Sequence, residues 1–166
     1  VAKRAFDLNG KLILLTQNSG IFVSADNGMT WHPSNTGIGT EPLSDLIIGD
    51  NSTLYTLDDV RIIYKSYDKG ATWIADSSFF TRITSIAYSK GKILGCDGNG
   101  SLYKSDTGNI VMTLTTAITG VNFLKANNQR VIAFTNTGVI TTSDDAGLNW
   151  TNRFSGGSFS ASYSFY

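Results

Sequence analysis

The sequence is poor in the residue types on which disulfide-rich and metal-dependent proteins rely. It has one cysteine, Cys96, and one histidine, His32, among 166 residues. A single thiol cannot form a disulfide within the chain or assemble a cysteine metal site. Cys96 is therefore interpreted as a small apolar core residue, and His32, directly after a tryptophan, as a surface or packing residue. We expect neither a metal nor a cofactor.

The chain also lacks an excess of charge and a long apolar run. Thirteen lysines and arginines balance thirteen aspartates and glutamates, and charged residues make up 16% of the chain. Nucleic-acid binding needs a clustered basic face, which the sequence does not show. Its apolar runs are far shorter than the roughly 20 residues of a membrane-spanning helix. We therefore expect no nucleic-acid partner and no membrane insertion.

Small polar and β-favouring residues fill the rest of the sequence. Hydrophobic residues make up 41% and aromatic residues 11%, and there are 17 glycines. Such a mixture with serine, threonine and asparagine favours short strands and many turns. The length suits a single domain over 1–166 with a sizeable core. An all-β fold is predicted.

One eight-residue pattern recurs along the chain. It reads SADNGMTW at 24–31, SYDKGATW at 66–73 and SDDAGLNW at 143–150, and a worn copy, SDTGNIVM, begins at 105. The period of about 40 residues is typical of four-stranded propeller blades. The positions that define the pattern are Ser24, Asp26, Gly28, Thr30, Trp31, Ser66, Asp68, Gly70, Thr72, Trp73, Ser105, Asp106, Gly108, Ser143, Asp145, Gly147, Asn149 and Trp150.

The segments around each pattern predict four strands per repeat. An inner strand precedes a hairpin of two strands, the pattern forms a turn, and a short outer strand follows. One such antiparallel sheet cannot bury both faces, so the sheets must stack around an axis as the blades of a β-propeller. We predict blades at about 1–37, 38–79, 80–117 and 118–155, with 156–166 as the inner strand of a further blade.

The residue types of the pattern suit a turn better than a catalytic site. An aspartate can accept hydrogen bonds from nearby backbone N–H groups, and the glycine can adopt a positive φ. The tryptophan opens the outer strand and can bury its ring against the sheet. Because these groups recur once per unit, we interpret them as structural and expect the three tryptophans to be buried and equivalent.

The pattern resembles the Asp-box, also called the bacterial neuraminidase repeat. The resemblance implies a β-propeller with the boxes at its periphery, away from the ligand-binding mouth. Asp-boxes occur in sialidases, xyloglucan-cleaving glycosidases, sortilin-type receptors, photosystem II assembly factors and phage tail proteins. The motif therefore indicates the fold more specifically than the function.

An enzymatic function finds little support in the sequence. A sialidase of this family would carry an Arg-Ile-Pro segment, and the nearest match is Arg82-Ile83-Thr84. Other glycosidases need two carboxylates that flank one bond. Aspartates in turns are common for purely local reasons, so no catalytic residue is assigned. The candidates for a ligand-binding loop are Glu41, Asp58, Asp59, Phe79, Phe80, Arg82 and Asp97.

The sequence favours a non-enzymatic binding or scaffold propeller, an adhesion or interaction module with a glycan or protein partner. The alternatives are part of a sialidase-like or xyloglucanase-like glycoside hydrolase, or an assembly factor of the photosystem II type. An extracellular, periplasmic or virion-surface location is expected. Both Val1–Leu8 and Phe159–Tyr166 read as inner strands. We therefore predict an arc of a larger propeller, completed by further blades of the chain or by a second copy.

Overall fold

The computed structural model describes residues 1–60, 62–78, 82–105, 112–127 and 129–156. Strands and their turns make up nearly all of this part of the chain, with one 3₁₀ turn at Asp50–Ser52. The strands are β1 (Ala2–Leu8), β2 (Lys11–Thr16), β3 (Ile21–Ser24), β4 (His32–Pro33), β5 (Leu43–Ile48), β6 (Leu54–Asp58), β7 (Ile62–Ser66), β8 (Ile74–Ser78), β9 (Ile83–Ser89), β10 (Lys92–Asp97), β11 (Leu102–Ser105), β12 (Met112–Thr115), β13 (Val121–Ala126), β14 (Val131–Thr135), β15 (Val139–Ser143) and β16 (Thr151–Ser155).

The strands form four sheets of four strands each, in the order of the chain. The orders are β1-β2-β3-β4, β5-β6-β7-β8, β9-β10-β11-β12 and β13-β14-β15-β16. Neighbouring strands are antiparallel. The first turn, Asn9-Gly10, has φ of 56° and 82°, as a two-residue hairpin loop requires. The predicted all-β fold of four-stranded antiparallel blades is confirmed.

The chain divides into two compact units, residues 1–83 and 84–166. In the first unit, alternate residues of β1–β3 meet the second sheet in one apolar core. Its buried members are Leu8, Ile13, Leu15, Ile21, Leu43, Leu46, Leu54, Tyr64 and Trp73. Burying a large aliphatic side chain contributes about 1.5–3 kcal/mol. This core is therefore the main stabilising element of the unit.

A few polar contacts also join the two sheets of the first unit. The Arg4 Nε lies 2.6 Å from Asp45 Oδ1, and Asp45 is almost completely buried. The Lys3 Nζ donates to the Leu43 carbonyl oxygen at 2.8 Å. A buried carboxylate is tolerated only when it is paired, so Arg4 is the partner that permits Asp45 to lie inside.

The second unit repeats the arrangement with smaller side chains. Its core consists of Ala87, Leu94, Cys96, Leu102, Val121, Leu124, Val131 and Ala133. The Ser85 hydroxyl spans the two sheets, where it donates to the Leu124 carbonyl oxygen at 3.4 Å. Cys96 is fully buried, so its interpretation as a core residue is confirmed.

The prediction that the three tryptophans are buried and equivalent is wrong. Trp73 is 3% exposed and Trp31 is 36% exposed, while Trp150 is half-buried. The ring of Trp73 packs on the preceding sheet, where its Nε1 donates to the Ser34 carbonyl oxygen at 2.9 Å. In the first sheet, the face equivalent to the one that carries Trp73 points away from the second sheet. Trp31 Nε1 therefore donates only within its own turn, to the Gly28 oxygen at 3.1 Å.

One buried hydroxyl in the second unit lacks a partner. Among the described buried side chains, the polar atom without a hydrogen bond is Thr141 Oγ1, and Thr141 is 3% exposed. Thr141 occupies the position in β15 that Tyr64 occupies in β7. The Tyr64 hydroxyl donates to Asp58 Oδ2 at 3.1 Å. In the fourth sheet Thr135 occupies the position of Asp58, so Thr141 has no carboxylate at that place.

We predict that Thr141→Val stabilises the protein. Valine keeps the shape of threonine and removes the unpaired hydroxyl, a change worth about 1 kcal/mol. The melting temperature should rise by about 2–4 °C. Thr142→Val is the matched control, because Thr142 Oγ1 accepts a bond from Arg153 Nε at 3.0 Å. A rise in melting temperature for Thr142→Val as large as that for Thr141→Val would contradict this explanation.

Candidate functional site

Each sheet has two ends with different connections. Because the strands are antiparallel, the turns after the first and third strands lie at one end, which we call the box end. The turn after the second strand and the connection to the next sheet lie at the opposite end, which we call the loop end. In the first unit, the loop end includes the turn at 17–20 and the connection at 34–42.

At the box end, an aspartate holds the turn between the third and fourth strands. The Asp68 Oδ1 accepts bonds from the Ser66 hydroxyl at 2.8 Å and from the Thr72 N–H at 2.9 Å. Its Oδ2 accepts the Thr72 hydroxyl at 2.6 Å, and the Gly70 N–H donates to Ser66 Oγ at 2.8 Å. Both carboxylate oxygens are therefore used inside the turn.

The same network recurs in the first and fourth sheets. Asp26 bonds to Ser24 and Thr30, and Asp145 bonds to Ser143 and to Asn149, whose side-chain amide replaces the threonine hydroxyl at 2.8 Å. In the third sheet, the buried Ser105 hydroxyl accepts the Ile93 N–H at 2.8 Å. The remaining residues of that worn box, Asp106, Gly108 and Val111, lie outside the described residues.

Each of the three described box turns contains two consecutive residues with a positive φ. In the second sheet these are Lys69 at 57° and Gly70 at 84°. At Gly147 a side chain would also meet a neighbour, because its Cβ would lie 2.6 Å from Leu94 Cδ2. Glycine at this position therefore satisfies both the backbone conformation and the close packing.

The box hydrogen bonds stabilise the ionised carboxylates. The Thr30 hydroxyl and N–H lower the pKa of Asp26 from 3.8 to about 2. The Asn149 N–H and side-chain amide lower the pKa of Asp145 to about 2. Burial raises the pKa of Asp68, but its bonds from Thr72 and Ser66 outweigh that effect and leave the pKa at about 2.

Two of the candidate ligand-loop residues hold turns at the loop end. Asp58 is 1% exposed; its Oδ1 accepts the Val60 and Ile62 N–H groups at 3.0 and 2.7 Å, and its Oδ2 accepts the Tyr64 hydroxyl at 3.1 Å.

Asp97 repeats this arrangement in the third sheet. It is 3% exposed and accepts bonds from the Asn99 and Ser101 N–H groups at 2.9 Å and from the Tyr103 hydroxyl at 3.0 Å. The sequence analysis missed these tyrosines, although each follows its aspartate by six residues. That repeated spacing was the available signal.

The structure places the other candidates as follows. Asp59 and Arg82 form an exposed ion pair, with Oδ2 and Nη2 3.3 Å apart. Phe79 and Phe80 lie outside the described residues. Glu41 is exposed and lines a cavity of about 270 Å³ at the loop end of the first unit. The cavity lies between the turn at 17–20 and the connection at 34–42.

One wall of this cavity is polar, and the other combines polar and apolar groups. Asn18 and Ser19 come from the turn, and Asn35, Ile38, Thr40 and Pro42 come from the connection. The Asn35 Oδ1 accepts the Ile21 N–H at 2.8 Å, which fixes the orientation of its amide. A Cβ on Gly20 would lie 2.3 Å from that oxygen, so only glycine permits the close approach of the two walls.

The connection that carries Glu41 is held on both sides of that residue. The Gly39 N–H donates to the Tyr64 hydroxyl at 3.2 Å, and the Asp59 N–H donates to the Pro42 oxygen at 2.9 Å. Burial raises the pKa of the Tyr64 hydroxyl, and the negative charges of Asp58 and Glu41 raise it further. Tyr64 therefore remains protonated and links the connection to Asp58.

Two other kinds of site are missing from the part of the chain that the structure describes. It contains no cluster of three or more histidine, cysteine, aspartate or glutamate residues that could hold a metal ion. No helix within it is long and apolar enough to cross a bilayer.

Comparison with known proteins identifies the repeat. The family profile of the BNR/Asp-box repeat matches residues 22–33, which include the first box. The chain therefore carries an Asp-box, and its four-stranded sheets have the fold of β-propeller blades. No sequence among the curated proteins matches it significantly.

Solved structures share the fold of this Asp-box propeller at low identity. A GH74 enzyme from Niastella koreensis has a TM-score of 0.73 and 20% identity, over 92% of this chain and 24% of the enzyme. YCF48 from Cyanidioschyzon merolae has a TM-score of 0.63 and 14% identity, over 92% and 58% of the two chains. YCF48 bound to D1 peptide has a TM-score of 0.65 and 15% identity, over 87% and 50%. The chain spans less than two thirds of each of these proteins.

We predict that Asp68→Ala destabilises the propeller by an amount on the order of 1 kcal/mol, by analogy with the loss of a helix cap. The variant leaves two donors of Thr72 and the Ser66 hydroxyl without their acceptor. Thermal melts measure the change, and Tyr67→Ala is the control because its side chain, in the same turn, is 67% exposed. Equal melting temperatures for Asp68→Ala and the wild type would show that the box does not stabilise the fold.

The box aspartates also predict an acid-sensitive stability. Their pKa is 3.8 when unperturbed and about 2 in the fold, so the unfolded chain binds protons more readily. Their contribution is complete above pH 3.8 and is lost as the pH falls towards about 2. Urea melts across this range should show the decline, and Asp145→Asn should reduce it. Asp50→Asn, at an exposed site, is the control; an equal effect of both variants would contradict the assignment.

Proposed function

We propose that this Asp-box propeller is a non-enzymatic interaction module that binds a peptide segment of a partner protein at its loop end. The observation that carries the proposal is the cavity beside Glu41. Its walls are held in place by the hydrogen bonds of Asn35 and Gly39, so a ligand would meet a preformed site. Preformed sites lose less conformational entropy on binding.

The hydrogen bonds and ion pairs of the carboxylates support a binding function over a hydrolase. A glycosidase needs two carboxylates on either side of one bond. Asp58 and Asp97 use both of their oxygens inside their own turns. Asp45 pairs with Arg4, and Asp76 pairs with Lys65. Of these candidates, Glu41 alone remains available to a ligand in the first unit.

The size of the cavity and one structural neighbour support a peptide as the ligand. Pockets for small molecules usually measure about 300–1,000 Å³, and a cavity of about 270 Å³ suits one side chain of an extended segment. YCF48, which shares the fold, has been solved with a bound D1 peptide. A glycan ligand is the second candidate, because amide and carboxylate groups such as Asn18 and Glu41 can also bond to sugar hydroxyls.

The exposure of Trp31 supports the prediction that a further blade packs on the first sheet. Trp73 is covered by the sheet that precedes it, and Trp31 is 36% exposed in the equivalent position. We infer that another blade, from the same protein or from a second copy, covers Trp31. A larger propeller built in this way and an extracellular, periplasmic or virion-surface location stay predictions.

Selection of phage-displayed random peptides tests the proposed function. The wild type should enrich peptides that Asn18→Arg no longer binds, because the larger side chain obstructs the cavity. Ala25→Arg adds the same charge to the exposed box turn of the same sheet and should keep these peptides. A glycan array and an assay for released reducing sugar run in parallel. Glycan binding without peptide enrichment, or hydrolysis of a glycan, would overturn the proposal.

A further inference from the structure

We propose that the cavity between the turn at 17–20 and the connection at 34–42 is a slot for a basic side chain, lysine or arginine, of the bound peptide, with the Glu41 carboxylate as its counter-charge. This inference rests on the proposed function, since it assumes that a peptide binds at the loop end. It adds the chemical identity of the residue that the site selects.

The charges at the loop end of the first unit single out Glu41. Its carboxylate is exposed and forms no ion pair with a described residue. The neighbouring Asp59 pairs with Arg82 at 3.3 Å. Asp58, buried beneath the connection, adds a negative charge that three hydrogen bonds stabilise. The site therefore offers one carboxylate that can still gain a cationic partner.

A nearby cation, Lys3, does not cancel this preference. Its Nζ donates to the Leu43 carbonyl oxygen at 2.8 Å, so one of its three donors is already engaged. Asp59 and Arg82 neutralise each other. Of the other described residues around the cavity, Asp58 and Glu41 together carry two negative charges against the one positive charge of Lys3. Their charges also raise the pKa of the Tyr64 hydroxyl, which lies against the connection. The local potential is therefore negative and attracts a cation.

The lining of the cavity matches the two parts of a basic side chain. Lysine and arginine have an apolar stem and a charged head. Ile38 and Pro42 provide apolar surface for the stem. The Glu41 carboxylate and the Asn18 amide oxygen can accept hydrogen bonds from the head. An acidic side chain would meet Glu41 with a charge of the same sign, so the cavity discriminates against it.

Parallel peptide selections on three proteins test the inference. The wild type should enrich peptides with lysine or arginine at one position. Glu41→Gln keeps the shape of the side chain and should lose this preference while it still binds peptides. Glu41→Lys should shift the preference at that position to aspartate or glutamate. Thermal melts of the variants confirm that each is folded.

A synthetic peptide from the wild-type selection then measures the contact. Replacing its basic residue by methionine should weaken binding to the wild type roughly three- to tenfold. The same replacement should leave binding to Glu41→Gln nearly unchanged. The difference between the two proteins should shrink at high salt, because salt screens a partly exposed ion pair.

The possible outcomes separate the two proposals. Peptides that bind at the loop end without a basic preference, or with one that Glu41→Gln retains, would overturn this inference and leave the proposed function standing. Failure of the wild type to enrich any peptide would overturn both. A glycan that binds the wild type and is lost with Glu41→Gln would replace the peptide by a sugar at the same cavity.

Discussion

The carboxylate clamp of the Asp-box is the interaction on which the first, second and fourth blades depend. The outer strand of the first sheet, β4, has two residues, and its ladder to β3 consists of the pairs Phe22–Pro33 and Val23–His32. Such a short ladder cannot position a strand by itself. Asp26 binds the N–H and hydroxyl of Thr30 just before β4 begins and so determines where the outer strand starts.

The clamp also joins neighbouring sheets. The turn of the second box brings the Gly70 carbonyl oxygen to the Ser34 hydroxyl of the first sheet and places the Trp73 ring over the same segment. The box turn that closes the second blade therefore also makes the contact with the first blade. These contacts engage the start of the connection at 34–42. The rest of that connection and the turn at 17–20 are therefore where the first unit can vary its residues for binding.

Much of this fold is readable from the repeat, and less of the site is. The spacing of the boxes predicts four sheets of four strands, because each box is a local turn. In the sequence, Asp58 and Glu41 cannot be distinguished, because both are acidic residues of predicted loops. Asp58 is buried because Tyr64, on the next strand, reaches its second oxygen. Glu41 is exposed, and the connection around it is held by backbone groups of Gly39 and Pro42 without its carboxylate.

The sequence by itself determined the all-β class, the blade repeat and the chemistry of the box, since these depend on residues that are close together in the chain. The tertiary structure decided which copies of the repeat are buried and which groups meet at the loop end. Trp31 and Trp73 occupy the same position of the repeat, but Trp73 is buried against the preceding sheet of its unit and Trp31 is 36% exposed. Burial and charge depend on neighbours from distant parts of the chain, which a local pattern does not encode.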